Sequence, residues 1–280
     1  MEWRGRRQSQ NIEDRRTAGA VRGGGIGVVG LLVVLAVGYF FGVDVTPLLE
    51  EGGGVTTGEP VELTPADRER GDFVAVTLAD TEEVWAGVFR DQLNAKYTPP
   101  VLVLFKGATA SACGGADMST GPFYCPVDRK VYLDTDFFVL MDRQLGAGGD
   151  FAQAYVVAHE VGHHVQNLLG ILDETTRLRQ RMSPADSNAV SVMVELQADC
   201  LAGIWARKAS EQFGSIDRGD VEEAMNAARQ IGDDTLQRNA GRRPMPDSFT
   251  HGTSAQRSDW FLRGLKSGQI DSCDTFSGQL

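Results

Sequence analysis

The sequence predicts an α+β fold: a mainly helical domain with a small sheet, preceded by one transmembrane helix. Three observations lead there. Two short apolar runs, within "TPPVLVLFKG" and around Lys130–Leu133 of "FYCPVDRKVYLDTDFF", read as strands. From about residue 136 onward nearly everything reads as helix. Ahead of both, Gly23 to Val43 forms an apolar stretch without a single charge.

Residues 1–22, "MEWRGRRQSQNIEDRRTAGAVR", hold six arginines and are expected to form a basic cytoplasmic stub. Residues 23–43 are long enough to cross a bilayer core, which takes about 20 apolar residues. The arginines before them and the acidic Asp44, Glu50, Glu51 and Glu59 after them orient the crossing, with the bulk of the chain outside. A cleaved signal peptide fits less well, because no A-x-A-like site follows Val37 or Phe41. Residues 44–65, including "EEGGGVTTGEP", read as a flexible tether. That leaves residues 66–280 as one extracytoplasmic domain, long enough to bury a core unaided.

Within the domain, "DFVAVTLADTEEVWAGVFRDQLN" reads as a short apolar run and then a helix from near Thr81, with Val84, Val88 and Leu93 roughly at helical spacing. The two strands follow, with a cysteine-bounded loop between them. Helices are then expected at 136–145, 150–169, 184–209, 219–230 and 252–266. Ser183 as cap and Pro184 in the first turn mark the start of the third.

The four cysteines, Cys113, Cys125, Cys200 and Cys273, form no CxxC pair. Of the three possible pairings, Cys113–Cys125 with Cys200–Cys273 is favoured. The first closes the "CGGADMSTGPFYC" loop; the second ties the tail to a helix. Disulfides agree with an exported domain. The net charge of −11 leaves no basic patch outside the stub to neutralise phosphates, so nucleic acid is not an expected partner.

The chain has four histidines, and three of them fall within "AHEVGHH". On a helix, His159 and His163 stand at i and i+4, so both rings leave one face and can reach a single ion. The string is HExxH, in which two histidines hold zinc and the glutamate between them, Glu160, activates water. His164 points about 100° away and is read as a supporting or surface residue. Gly162 costs about 1 kcal/mol relative to alanine inside a helix, so close packing at the metal site is expected to compensate.

A third ligand is sought on the 184–209 helix. There Glu195 and Asp199 share a face of a largely apolar segment, "VMVELQADCLAGIWA". Buried carboxylates need a cation or a donor. Glu195 is expected to complete the ligand set, and Asp199 to hold the far ring nitrogen of a ligand histidine, most simply His159. A structural network with Arg177 or Arg181 is the competing reading. His251 and Arg257, in "THGTSAQRSDWF", are candidates to stabilise the oxyanion of peptide hydrolysis, with Tyr155 and Tyr132 as weaker ones.

These segments, in order from "MEWRGRRQSQNIEDRR" through "SACGGADMSTGPFYCPVDRKVYLD", "AYVVAHEVGHHVQNLLG", "VELQADCLAGIWA" and "THGTSAQRSDWF", resemble the neutral zinc metallopeptidase family of bacteria, the YpfJ-like proteins. HExxH followed by ExxxD is also similar to the arrangement in gluzincins such as thermolysin. The His-then-Arg spacing resembles the HtpX and CAAX-prenyl protease group. The resemblance implies a zincin-like domain with Zn2+ held by His159, His163 and Glu195. It further implies Glu160 as general base, Asp199 in support, and His251 with Arg257 as a transition-state pair. The partners it implies are a peptide or protein substrate and, through the anchor, a lipid bilayer; an extended substrate is expected to add as a strand along the edge near Lys130–Leu133. The gap from His163 to Glu195 is longer than in thermolysin, so residues 170–183 must fold over or beside the cleft. Two other readings keep the metal: an envelope scaffold with zinc as a staple, and a zinc amidase acting on a non-protein substrate.

Overall fold

The computed structural model describes residues 1–17, 62–117 and 120–277. The expected crossing at 23–43, and the tether up to residue 61, lie outside the described residues. The architecture is mainly helical with a small sheet, the α+β class expected.

Two parts build the domain. A four-stranded sheet has the order β1 (Ile12–Asp14), β2 (Val101–Phe105), β6 (Lys130–Asp134), β5 (Phe123–Cys125). β1, β2 and β6 are parallel, and β5 closes antiparallel to β6 with Tyr124 opposite Val131. β3 (Ala108–Ser111) and β4 (Gly114–Asp117) make a separate hairpin. Lys130–Leu133, read from sequence as an edge able to take a substrate strand, is therefore interior. Among the described residues the sheet's edges are β1 and β5.

Eight α-helices complete the described residues: α1 (Pro65–Leu93), α2 (Asp136–Leu145), α3 (Asp150–Leu168), α4 (Ile171–Arg179), α5 (Pro184–Phe213), α6 (Arg218–Gln230), α7 (Asp233–Asn239) and α8 (Ser254–Ser267). α1 starts well before the expected Thr81. Thr64 and Asp67 form a reciprocal capping box at its start, and Phe73 to Thr81 are buried on every side. A helix buried all round shows no apolar stripe, so periodicity could not mark its first half. α4 and α7 were not expected. Each is short, and Gly170 and Gly232 stand immediately before them.

α3 and α5 cross at the centre of the core. Gly162 permits it: a Cβ there would lie 3.1 Å from the Ala198 carbonyl oxygen and 3.3 Å from its Cα. What compensates its low helix propensity is this close approach of two backbones. α8 lies against α5 in the same way, with Gly264 against the Cys200 carbonyl and Gly203 against that of Phe261. α5 is long and apolar enough to cross a membrane, yet most of it is buried inside the domain. Both expected disulfides are present, Cys113–Cys125 and Cys200–Cys273.

Residues 1–17 do not stand apart as a stub. β1 extends the sheet, and the Met1 ammonium bridges Asp150 at 2.9 Å and Asp220 at 2.8 Å.

Candidate metal centre

The local helix geometry sets the first two candidate ligands. His159 and His163 lie one turn apart on α3, their ring centroids 4.8 Å apart. The crossing at Gly162 brings α5 over that face and sets Glu195 opposite both rings, with Oε2 3.2 Å from His159 Nε2 and Oε1 3.5 Å from His163 Nε2. Ligand atoms of these three residues lie within 4.8 Å of one another.

The donor chemistry fits zinc. Nδ1 of His159 faces Asp199 Oδ1 at 2.9 Å, and Nδ1 of His163 faces Gln166 Oε1 at 2.8 Å. With both Nδ1 protons donated to oxygen acceptors, both Nε2 lone pairs are left for the ion. Two imidazole nitrogens and one carboxylate make the donor set of a catalytic zinc site with an open position. Glu160 is 7% exposed and lines the cleft beside these residues. A second acidic group, Asp150, Asp220 and Glu223, lies at the starts of α3 and α6, where the Met1 ammonium meets two of its members.

Charge is balanced around the ligands. Burial opposes a proton on His159, but Asp199 and Glu195 outweigh it and lift its pKa to about 10 in the metal-free protein. Burial works against the Glu195 charge, yet His163 and His159 hold its carboxyl well below the usual range. Asp199 is fully buried, and Arg257 and His159 hold its pKa at about 2 against the burial that would raise it.

Arg257 takes a different place from the one expected. Its Nε and Nη2 donate to Asp199 at 2.8 and 3.0 Å, Nη2 also to the Tyr155 hydroxyl at 3.3 Å, and Nη1 to the Ile231 carbonyl at 3.3 Å. The guanidinium is 2% exposed, so four of its five N–H groups are spent inside the protein. Tyr155 donates its hydroxyl to Asp199. Both side chains touch the cleft wall but serve Asp199. Tyr132 does not line the cleft; it stacks behind the wall residue Phe123 at 5.0 Å between ring centroids and donates its hydroxyl to Asp128 at 2.6 Å. Asp199 thus meets Arg257 rather than Arg177 or Arg181.

His251 does reach the cleft and is half exposed. Asp233 holds its loop: one carboxylate oxygen accepts the backbone N–H groups of Thr250, His251 and Gly252 at 2.8, 2.6 and 3.0 Å. The other lies 3.4 Å from His251 Nδ1. Sequence reasoning missed Asp233 and Gln166. Gln166 had a signal, since it follows His163 by three residues on one helix; Asp233 had none, being 18 residues from His251 across a loop. His164 is buried, not at the surface. Its ring meets the Tyr124 hydroxyl at 3.0 Å and the Thr98 carbonyl at 2.7 Å, fastening β5 to α3.

The cleft holds about 590 Å³. Phe123, Phe137, Leu172, Val194, Ile231 and Leu236 give it apolar walls around the ligands, and residues 120–124 bring the β5 edge to its rim. Leu172 on α4 lies in that wall, so the segment 170–183 stands beside the cleft.

A family model described as "Putative neutral zinc metallopeptidase" matches residues 1–276. Among curated proteins, the chain is 46% identical over 292 aligned residues to "Uncharacterized protein YpfJ" of Escherichia coli (strain K12), covering 99% of each. It is 40% identical over 249 aligned residues to "Uncharacterized protein Rv2575" of Mycobacterium tuberculosis (strain ATCC 25618 / H37Rv), covering 80% of this chain and 82% of that one. No solved structure matches the chain.

Proposed function

Because the chain belongs to this zinc metallopeptidase family, we propose that it hydrolyses peptide bonds at the His159–His163–Glu195 centre, with Glu160 as general base. The observation that carries the reading is the convergence of those three ligands beside Glu160 in an open, apolar-walled cleft. A zinc ion held there would supply Lewis acidity, polarising a carbonyl and acidifying a water. Glu160 takes a proton from the attacking water and returns it to the leaving amine. His251, oriented by Asp233, donates to the carbonyl oxygen as negative charge builds on it. Asp199, braced by Arg257 and Tyr155, keeps the His159 ring in register.

The substrate is an extended peptide with apolar side chains. It adds as a strand to the edge of β5, which supplies backbone groups at the rim, while the apolar walls take alternate side chains. An envelope scaffold with a structural zinc is disfavoured, because such sites are usually closed by four protein ligands and the cluster found among the described residues has three. We place the domain outside the cytoplasmic membrane, on the oxidising side that its two disulfides favour. The apolar stretch 23–43 attaches it to lipid.

The test is zinc content and cleavage of a diverse peptide library by the full chain, with Glu160→Gln alongside. One zinc per chain in both forms, with cleavage lost only in the variant, is expected. Equal cleavage by the variant would overturn the mechanism, and zinc without peptide cleavage by either form would favour the scaffold or the non-protein amide reading.

A further inference from the structure

Residues 1–17 are joined to the rest of the fold along their whole length. Trp3 packs edge-on against Phe73 at 5.5 Å between ring centroids. Arg6 pairs with Asp80 at 2.6 Å and lies over the Phe213 ring at 4.3 Å. Arg7 reaches Glu83 at 2.7 Å and Glu82 at 3.1 Å. Beyond them β1 adds in parallel to β2: Leu102 N donates to the Asn11 carbonyl at 2.8 Å, and Arg15 N to that of Leu104 at 2.7 Å. Arg16, 6% exposed, enters a gap left by Gly71 and donates to the Asp67 carbonyl. Any side chain at position 71 would meet that guanidinium.

Backbone ladder bonds and buried ion pairs form only between groups in one aqueous compartment, because a bilayer core about 30 Å thick admits no such contact across it. The arginines that suggest a cytoplasmic stub have another use. Arg4, Arg6, Arg7, Arg15 and Arg16 each pair with a carboxylate of the protein, namely Glu69, Asp80, Glu83, Glu13 and Asp14. Their charge is answered by carboxylates of the chain itself rather than by a membrane face, and for Arg4, Arg6 and Arg7 those carboxylates belong to residues 62–277. We infer that residues 1–17 and 62–277 are one folded body on one side of the membrane, so that no single crossing separates them. The inference is independent of the peptidase reading.

The experiment uses the full chain in its own membrane, with one added cysteine at a time at two exposed sites, Gln10→Cys and Asp259→Cys. All four native cysteines are paired. A membrane-impermeant maleimide is applied to intact cells, to permeabilised cells and to detergent-solubilised protein, the last showing that each site is reactive in the fold. The expected result is the same pattern at both positions: both labelled in intact cells, or both only after permeabilisation. Labelling of one in intact cells and of the other only after permeabilisation would overturn the inference.

Discussion

At Asp199 a single buried carboxylate accepts from the Tyr155 hydroxyl, His159 Nδ1 and two nitrogens of Arg257. Replacing it with asparagine removes the charge that answers Arg257. Stranding one member of a buried pair costs about 3–5 kcal/mol, and losing the partner of a ligand histidine weakens metal binding about 10- to 100-fold. Asp199→Asn is therefore expected to lower both the unfolding midpoint and zinc affinity, read by thermal denaturation and metal titration. Proton competition sets a second expectation at this scale. With its pKa at about 10, His159 is protonated at neutral pH in the metal-free protein, so zinc must displace that proton. Zinc uptake at pH 7 should release protons, seen as a buffer-dependent heat in calorimetry, and affinity should fall as the pH is lowered. A pH-independent affinity would contradict this reading of the site.

Helix placement follows from glycines at crossings. Gly264 and Gly203 let α8 and α5 touch backbone to backbone, and Gly162 does the same for α3 and α5. In Gly264→Ala the new methyl meets the Cys200 carbonyl, so α8 must shift and carry Arg257 away from Asp199. Overpacking of this kind costs about 1–3 kcal/mol. Gly87→Ala on α1 is the contrast, since its methyl would find only the Arg90 guanidinium at 3.8 Å. There the higher helix propensity of alanine should leave the protein as stable or more stable by up to about 1 kcal/mol. Thermal unfolding of the two variants should move in opposite directions, or fall for Gly264→Ala alone.

Across the whole molecule, the chain's ends support its centre. Cys200–Cys273 closes a separation of 73 residues, for which chain entropy gives about 4 kcal/mol. The tail it holds accepts a hydrogen bond from Gln197, which meets Gln166, which in turn meets His163. Reducing this disulfide should lower stability and also loosen zinc, measured by denaturation and by competition with a chelator. The first residues act at the other end. A chain starting at residue 62 loses β1 and the partners of Asp80, Glu82, Glu83, Asp150 and Asp220. It should unfold at a lower temperature than the full chain.

Local patterns carried much of this protein in its sequence. HExxH names His159, Glu160 and His163 because a helix repeats its face every three to four residues, and ExxxD names Glu195 and Asp199 for the same reason. Ser183 and Pro184 marked a helix start by capping chemistry, and the favoured cysteine pairing agrees with the fold. What depends on neighbours distant in the chain was decided only by tertiary structure. Arg257 meets Asp199 because the close approach of α8 to α5 buries it there. Asp233 orients His251 through a loop that no periodicity describes, and β6 became interior because β5 turned back to pair with it. Arginines 4 to 16 read as a membrane-side charge until the carboxylates facing them came into view, since a charge pattern along a chain does not say which charges will meet it in space.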